Sequence, residues 1–214
     1  MKILKKLLGK LIRILYRFVY RFIPCQEKTI LFISFHGRGY SDNPMAIHQY
    51  LSKHSQYADY RCIYAIKNHK QKKLKIENAR IIEYFSIAYF FYLARSKYWI
   101  ANCKLPKYVL KKDSQVYLQT WHGTPLKKLA HDIEVPEGTT FYRSEMSVEE
   151  MRSTYDNDVS KYNYMISPSA FTTEVFQSAF AIERERLIET GYPRNDILSN
   201  YNSDDIKKIK DKLN

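Results

Sequence analysis

The sequence predicts an α/β domain built on a parallel sheet. Three observations predict it. Seven short runs of β-branched and aromatic residues alternate along the chain with segments of helical spacing, the pattern of strand–helix–strand units. The 214 residues are 45% hydrophobic and 15% aromatic, enough for one full domain or two small ones and too apolar for global disorder. The three cysteines, an odd number with no C-x-x-C, argue against a disulfide scaffold and a zinc ribbon and suit a reducing cytoplasm.

Residues 3–23 come first, as an amphipathic helix. Apolar side chains at Leu4, Leu8, Leu11, Leu15, Phe18 and Phe22 alternate steps of four and three, which draws one stripe. Leu7, Ile14 and Tyr16 widen it, and Lys2, Lys6, Lys10, Arg13, Arg17 and Arg21 form another face. A charge every three or four residues excludes a spanning helix. The same charges, with no A-x-A site after them, make it a poor secretory signal. Two readings stand: an in-plane helix on anionic lipid, or a helix packed on the domain or a partner. Seven cations and no anion over residues 1–21 favour lipid. Pro24 ends the segment.

The body then alternates. Residues 29–35 (TILFISF) read as a buried strand, and residues 36–44 as a loop of turn residues. A helix over 45–54 follows, with Asn43 at its N-cap and Pro44 at its first position. Strands are expected at 60–66, 80–84, 98–101 and 115–120, with a helix at 87–96 and a basic stretch around Lys70, Lys72, Lys73 and Lys75. Helices are expected at 140–155, from Ser167-Pro168 to Phe180, and at 204–213, and strands at 164–166 and 187–189. In open parallel sheets ligands sit outside the carboxyl ends of the strands. That singles out 36–44 after the first strand and 121–125 after the fifth.

Charge divides the chain further. The net +13 combines two basic regions, 1–21 and 67–128, with an acidic last third, ten bases against sixteen acids over 129–214. The middle excess suits a polyanionic partner. Nucleic acid is the weakest such partner, given the acidic last third and the lipid-type helix. His48, His54, His69 and His131 show no metal-ligand spacing, and no G-x-x-x-x-G-K is present, so neither a metal nor a resident cofactor is expected.

The most informative stretch is YLQTWHGTPLKK, residues 117–128. A strand ending at Thr120 runs into the turn Trp121-His122-Gly123, with Thr124 as N-cap and Pro125 as first residue of a helix. His122 then lies at the strand's carboxyl end beside a helix N-terminus, whose free N–H groups meet a phosphate. Gly123 allows close backbone approach. A neutral imidazole there is placed to take a proton from an attacking hydroxyl, with Lys127 and Lys128 adding charge nearby. The competing reading is a capped turn whose histidine only bonds the backbone.

QTWHGTPLKKLAHD, together with HGRGYSDNPMAI, FTTEVF and ETGYPRND, resembles the CDP-glycerol glycerophosphotransferase family of teichoic acid primases and polymerases. The resemblance runs from about residue 29 to about residue 200. It implies a Rossmann-like parallel sheet with flanking helices, the N-terminal, acceptor-side domain of a GT-B-type transferase, over 26–200. Residues 1–25 precede it as the membrane-surface helix, and 201–214 start an interdomain connection. It also implies transfer of glycerol phosphate from CDP-glycerol, or of ribitol phosphate from CDP-ribitol, to a lipid-linked polyol-phosphate acceptor, with release of CMP, at the cytoplasmic face of the cell membrane. His122 matches the motif histidine, the implied general base. Arg38, Tyr40 and Asn43 in the first loop, Trp121, Gly123, Thr124 and Lys127 in the motif, and Arg194 in the last are the expected substrate-binding residues. Arg38 suits an acceptor phosphate, whereas Asn43 serves the site or only caps its helix, and Tyr192-Pro193-Arg194 reads first as a hinge. Eighteen residues follow Asp196, and no H-S-D motif occurs, so a second Rossmann-like domain is expected to lie outside this chain, in a truncated gene product or a separate carboxy-terminal half. The alternative is a non-catalytic membrane-peripheral module that binds anionic polymer or lipid-linked acceptor.

Overall fold

The computed structural model describes residues 2–71, 73–134 and 146–213, with residues 2–9, Ile12 and Lys212 described by backbone alone. Its centre is a seven-stranded sheet in which every pair is parallel. The strands are β1 (Gln26–Ile33), β2 (Arg61–Ile66), β3 (Ala79–Glu83), β4 (Ser96–Ala101), β5 (Val116–Gln119), β6 (Tyr164–Ser167) and β7 (Leu187–Glu189), in the order β3-β2-β1-β4-β5-β6-β7. The helices are α1 (Lys2–Val19), α2 (Asp42–Lys53), α3 (Ile87–Arg95), α4 (Val148–Val159), α5 (Ala170–Phe180) and α6 (Ser203–Leu213). This is the predicted α/β, Rossmann-like class. The order runs outward from β1 on one side and from β4 on the other, so the crevice beyond their carboxyl ends is the topological switch point.

Side chains alternate across the strands and build two cores. Leu31, Ile33, Trp99, Ala101, Tyr117 and Met165 pack with Tyr89, Phe90 and Leu93 of α3 and with Phe176 and Phe180 of α5. On the opposite face Ile30, Phe32, Cys62, Tyr64 and Ile66 gather under Ile47 and Leu51 of α2. Leu31, Ile33, Ile63, Trp99 and Tyr117 are fully buried, each a hydrophobic contribution of about 1.5–3 kcal/mol or more.

Several boundaries differ from expectation for local reasons. Strand β1 begins at Gln26, where it pairs with Ser96, and stops at Ile33 because Phe35 and His36 take left-handed backbone angles in a 3₁₀ turn, Phe35–Gly37. Helix α2 starts at Asp42 with Ser41 at its N-cap, so Asn43 lies inside the helix rather than capping it. The helix expected from Thr124 is absent. Trp121 turns the chain at φ 51°, Trp121 and Pro125 are buried, Leu129 is extended, and only a 3₁₀ turn, Ala130–Asp132, follows. The helix expected at 140–155 is α4, started at Val148 by a capping box between Ser147 and Glu150; its portion at 140–145 and Lys72 of the basic stretch lie outside the described residues.

Helix α1 ends at Val19, not at residue 23. The ladder gives way to a tighter turn, with the Phe22 N–H on the Val19 carbonyl at 3.0 Å. One face of this helix packs on the domain, and other apolar side chains face solvent. Tyr16 is 4% exposed, packs on Phe90 at 5.2 Å between ring centroids, and donates its hydroxyl to the Leu110 carbonyl at 2.9 Å. The Arg13 guanidinium lies over the Tyr108 ring. Leu11, Ile14, Leu15, Phe18 and Phe22 are between 57% and 75% exposed. The side chains of Leu4, Leu7 and Leu8, which start the stripe, lie outside the described ones. Among the described residues no helix is long and apolar enough to cross a membrane.

Candidate active site

The carboxyl ends of β1, β4, β5 and β7 deliver four loops to one place. From β4 comes Asn102, fully buried. Its side-chain oxygen accepts the Phe35 N–H at 2.8 Å, and its side-chain nitrogen donates to Asp42 Oδ2 at 2.5 Å. Its main-chain carbonyl lies 2.6 Å from His122 Nδ1. A carbonyl can only accept, so Nδ1 is the donor, and in the neutral ring the lone pair is on Nε2. His122 is exposed, so that lone pair is open to a ligand. The ring stacks on Trp121 at 4.4 Å and meets the edge of Phe35 at 5.8 Å. Trp121 is in turn 7% exposed and wedged against Phe176 and Phe180.

The loop after β7 closes the arrangement. Arg194 Nη1 donates to the His122 carbonyl at 3.0 Å and ion-pairs with Asp42, whose side chain is 6% exposed. The Arg194 N–H donates to Asn43 Oδ1 at 3.2 Å, while Asn43 Nδ2 donates to the carbonyls of Thr120 and Trp121 at 3.1 and 3.2 Å. Asn43 is thus buried with both ends of its amide engaged by main chain. One set of hydrogen bonds joins Asp42, Asn43, Asn102, Trp121, His122 and Arg194.

The remaining expected residues lie around it. Arg38 is exposed beside His36. Tyr40 turns inward, its hydroxyl 2.9 Å from His48 Nδ1 and its ring 5.0 Å from Tyr64. Thr124 and Lys127 are exposed on the loop after His122, and Lys128 pairs with Glu134. Gly123 differs from its sequence reading. A Cβ there would meet nothing within 4 Å, so no contact of the chain itself demands glycine, and the left-handed residue of the turn is Trp121. The helix N-terminus expected to bind phosphate beside His122 is absent, and cationic side chains are what the site offers an anion instead.

Sequence reasoning missed Asn102, Cys103 and Lys104. They carry no motif, and the signal available was position alone, directly beyond the fourth strand. The His36 N–H points at Cys103 Sγ, 3.1 Å away. Burial, and then the positive charges of Lys67, Arg38 and Lys104, hold the His36 imidazole below its usual range. The Lys104 ammonium is pushed down chiefly by burial. Among the described residues no group of three or more His, Cys, Asp or Glu side chains is placed to hold a metal ion.

The arrangement can do proton transfer beside an anion: an oriented imidazole, with Arg194 on its carbonyl and Arg38 and Lys104 near the adjoining His36. Comparison with known proteins shows the family of the chain. Residues 14–214 match the CDP-glycerol:poly(glycerophosphate) glycerophosphotransferase family. The chain is 39% identical over 195 residues to the teichoic acid poly(glycerol phosphate) polymerase of Bacillus spizizenii, covering 89% of this chain and 47% of that protein. It is 37% identical over 189 residues to the teichoic acid glycerol-phosphate transferase of Staphylococcus aureus, covering 86% of this chain and 46% of that protein. The wall teichoic acid polymerase TagF superposes with a TM-score of 0.84 at 36% identity, over 95% of this chain and 48% of that one. A form of that polymerase soaked with CDPG gives the same score at 35% identity. The chain spans about half the length of these relatives.

Proposed function

Because the chain belongs to the CDP-glycerol:poly(glycerophosphate) glycerophosphotransferase family, we propose that it supplies the acceptor-side Rossmann-like domain, residues 26–200, of a transferase. That transferase moves glycerol phosphate from CDP-glycerol to the hydroxyl end of a lipid-linked glycerophosphate acceptor. The observation that carries the reading is the His122 ring, fixed through Nδ1 on the Asn102 carbonyl at 2.6 Å with Nε2 left open.

In the proposed step Nε2 takes the proton of the acceptor hydroxyl. The oxygen forms a bond to the β-phosphorus of CDP-glycerol. The bond between that phosphorus and the bridging oxygen breaks, and its electron pair leaves with CMP. Such a transfer needs a positioned base and charge stabilisation more than covalent help from the protein. Asn102 orients the base. Arg194, Asp42 and Asn43 hold the turn that carries it, and Trp121 is the platform under its ring. Arg38 and Lys127 face the acceptor phosphates, and the open space at Gly123 and Thr124 admits the acceptor backbone. Tyr40 shapes the loop from behind. The exposed stripe of α1 lies on anionic lipid, which brings the site to a membrane-held acceptor at the cytoplasmic face.

The test is CMP release from CDP-glycerol with a lipid-linked glycerophosphate acceptor. It is measured for this chain alone and together with a carboxy-terminal transferase domain, as wild type and as His122→Ala. Release that depends on His122 supports the reading. Release unaffected by His122→Ala removes the base assignment. Liposome binding without any release leaves a non-catalytic, acceptor-binding module.

A further inference from the structure

Next to the His122 turn lies a cavity of about 440 Å³, lined by His36, Lys104, Leu105, Pro106, Met151 and Tyr155 among others, within the size range of small-molecule sites. Its wall is mostly apolar, and its charged groups are the lysines Lys104 and Lys107. Lys104 Nζ donates to Thr154 Oγ1 at 3.1 Å and sits 3.5 Å above the Tyr155 ring, which leaves one of its three N–H donors for a ligand. Asp158 lies beneath, with its carboxylate engaged by the Leu105 N–H at 3.0 Å and by the Tyr162 hydroxyl at 2.5 Å. Lys107 stands at the rim, 3.4 Å from Ser153 Oγ.

The backbone places His36 there at a cost. Phe35, His36 and Gly37 are consecutive left-handed residues, at φ 44°, 56° and 81°, a conformation non-glycine residues keep only when their surroundings enforce it. Here the enforcement is the pair of bonds from Phe35 and His36 to Asn102 and Cys103, and the Tyr84 ring, which a Cβ at Gly37 would strike at 2.7 Å. A turn free to relax would not hold an exposed imidazole at the cavity that Lys104 also lines.

We propose that this cavity is a second anion subsite, which takes a glycerophosphate diester of the acceptor next to the hydroxyl held at His122. His36 and Lys104 meet the phosphate oxygens, and the apolar wall lies along the polyol carbons. The proposal rests on the acceptor reading above. Binding there adds a negative charge among His36, Lys67, Arg38 and Lys104, and so draws the His36 imidazole back up toward its ordinary range.

The probe is glycerophosphoglycerol in solution, with phosphatidylglycerol vesicles as a second arm, read by NMR of histidine-labelled full chain. The His36 resonance is assigned by His36→Gln. The soluble probe is expected to shift that resonance and raise its titration midpoint. Lys104→Met, which keeps the aliphatic stem on Tyr155, is expected to weaken the probe about tenfold, the loss of one charge-assisted hydrogen bond. Unchanged near-ultraviolet circular dichroism reports that both variants fold. No shift, or a shift that survives Lys104→Met, overturns the subsite. A response to vesicles alone overturns the acceptor assignment in favour of a lipid headgroup. A chain that binds the probe but releases no CMP when supplied with a carboxy-terminal transferase domain counts against the transfer reading and not against the subsite.

Discussion

Helix α1 and the carboxyl edge of the sheet hold their functional side chains in opposite ways. At the sheet edge polar groups point inward and are tied. Asn102, Asn43 and Asp42 are each bonded to partners from other loops, and His122 is left one free nitrogen. On α1 the apolar groups point outward. Tyr16 anchors the helix to the domain, while Leu11, Leu15, Phe18 and Phe22 touch water. A site that moves a proton needs geometry fixed to a fraction of an ångström. A lipid foot needs only the right composition on the right face.

Single substitutions should therefore cut deeply at the sheet edge and shallowly on the helix. The largest effect is expected from His122→Ala, a fall in CMP release of about 10²–10⁴-fold with the melting temperature unchanged, because the ring is exposed. Asp42→Ala comes next. It leaves Arg194 and Asn102 without their partner and should cost about 2–3 kcal/mol in urea unfolding, less than a fully buried pair because the Arg194 side chain is 31% exposed. If Asp42→Ala is neutral, the sheet edge is not the tied structure described above.

Asp158 gives a pH test of the same edge. Burial raises its carboxyl from 3.8 to about 6, so between those values the folded chain holds a proton the unfolded chain has lost. Stability is highest below about pH 4 and falls as pH rises to 6, by about 2–3 kcal/mol from this group. Asp158→Asn, which keeps its shape and its acceptor for Leu105, should flatten that slope in unfolding measured from pH 4 to 7. The smallest effect on stability is expected on the helix. Replacing Leu11, Leu15, Phe18 and Phe22 together with serine should shift unfolding by no more than about 0.5 kcal/mol per site and yet abolish flotation with anionic liposomes. Flotation that persists would remove the foot and the contrast with it.

The sequence showed this molecule unevenly. Strand β7 and the start of α3 read off the residues to the position, because residue type and spacing are local facts. The WHGTP turn was legible as a candidate site, since a histidine between a strand and a turn-forming glycine is a pattern of neighbours. The helix expected after it was not there, because Thr-Pro favours a helix start only where the core leaves room, and Trp121 and Pro125 are drawn into the core instead. Asn43 looked like a cap for the same reason. Residue type marks a good cap, and only packing says that Ser41 takes the position while the asparagine amide is used elsewhere.

By itself the sequence determined the α/β class, the strand that delivers His122 and the stripe that α1 shows to solvent, because residue period and type act over a few neighbours. The tertiary structure alone decided which nitrogen of His122 stays free, and that Asn102 and Asp42, Asn43 and Thr120, and Asp42 and Arg194 would meet across 60, 77 and 152 residues. Those partners are brought together by strand order, which no local pattern of side chains specifies.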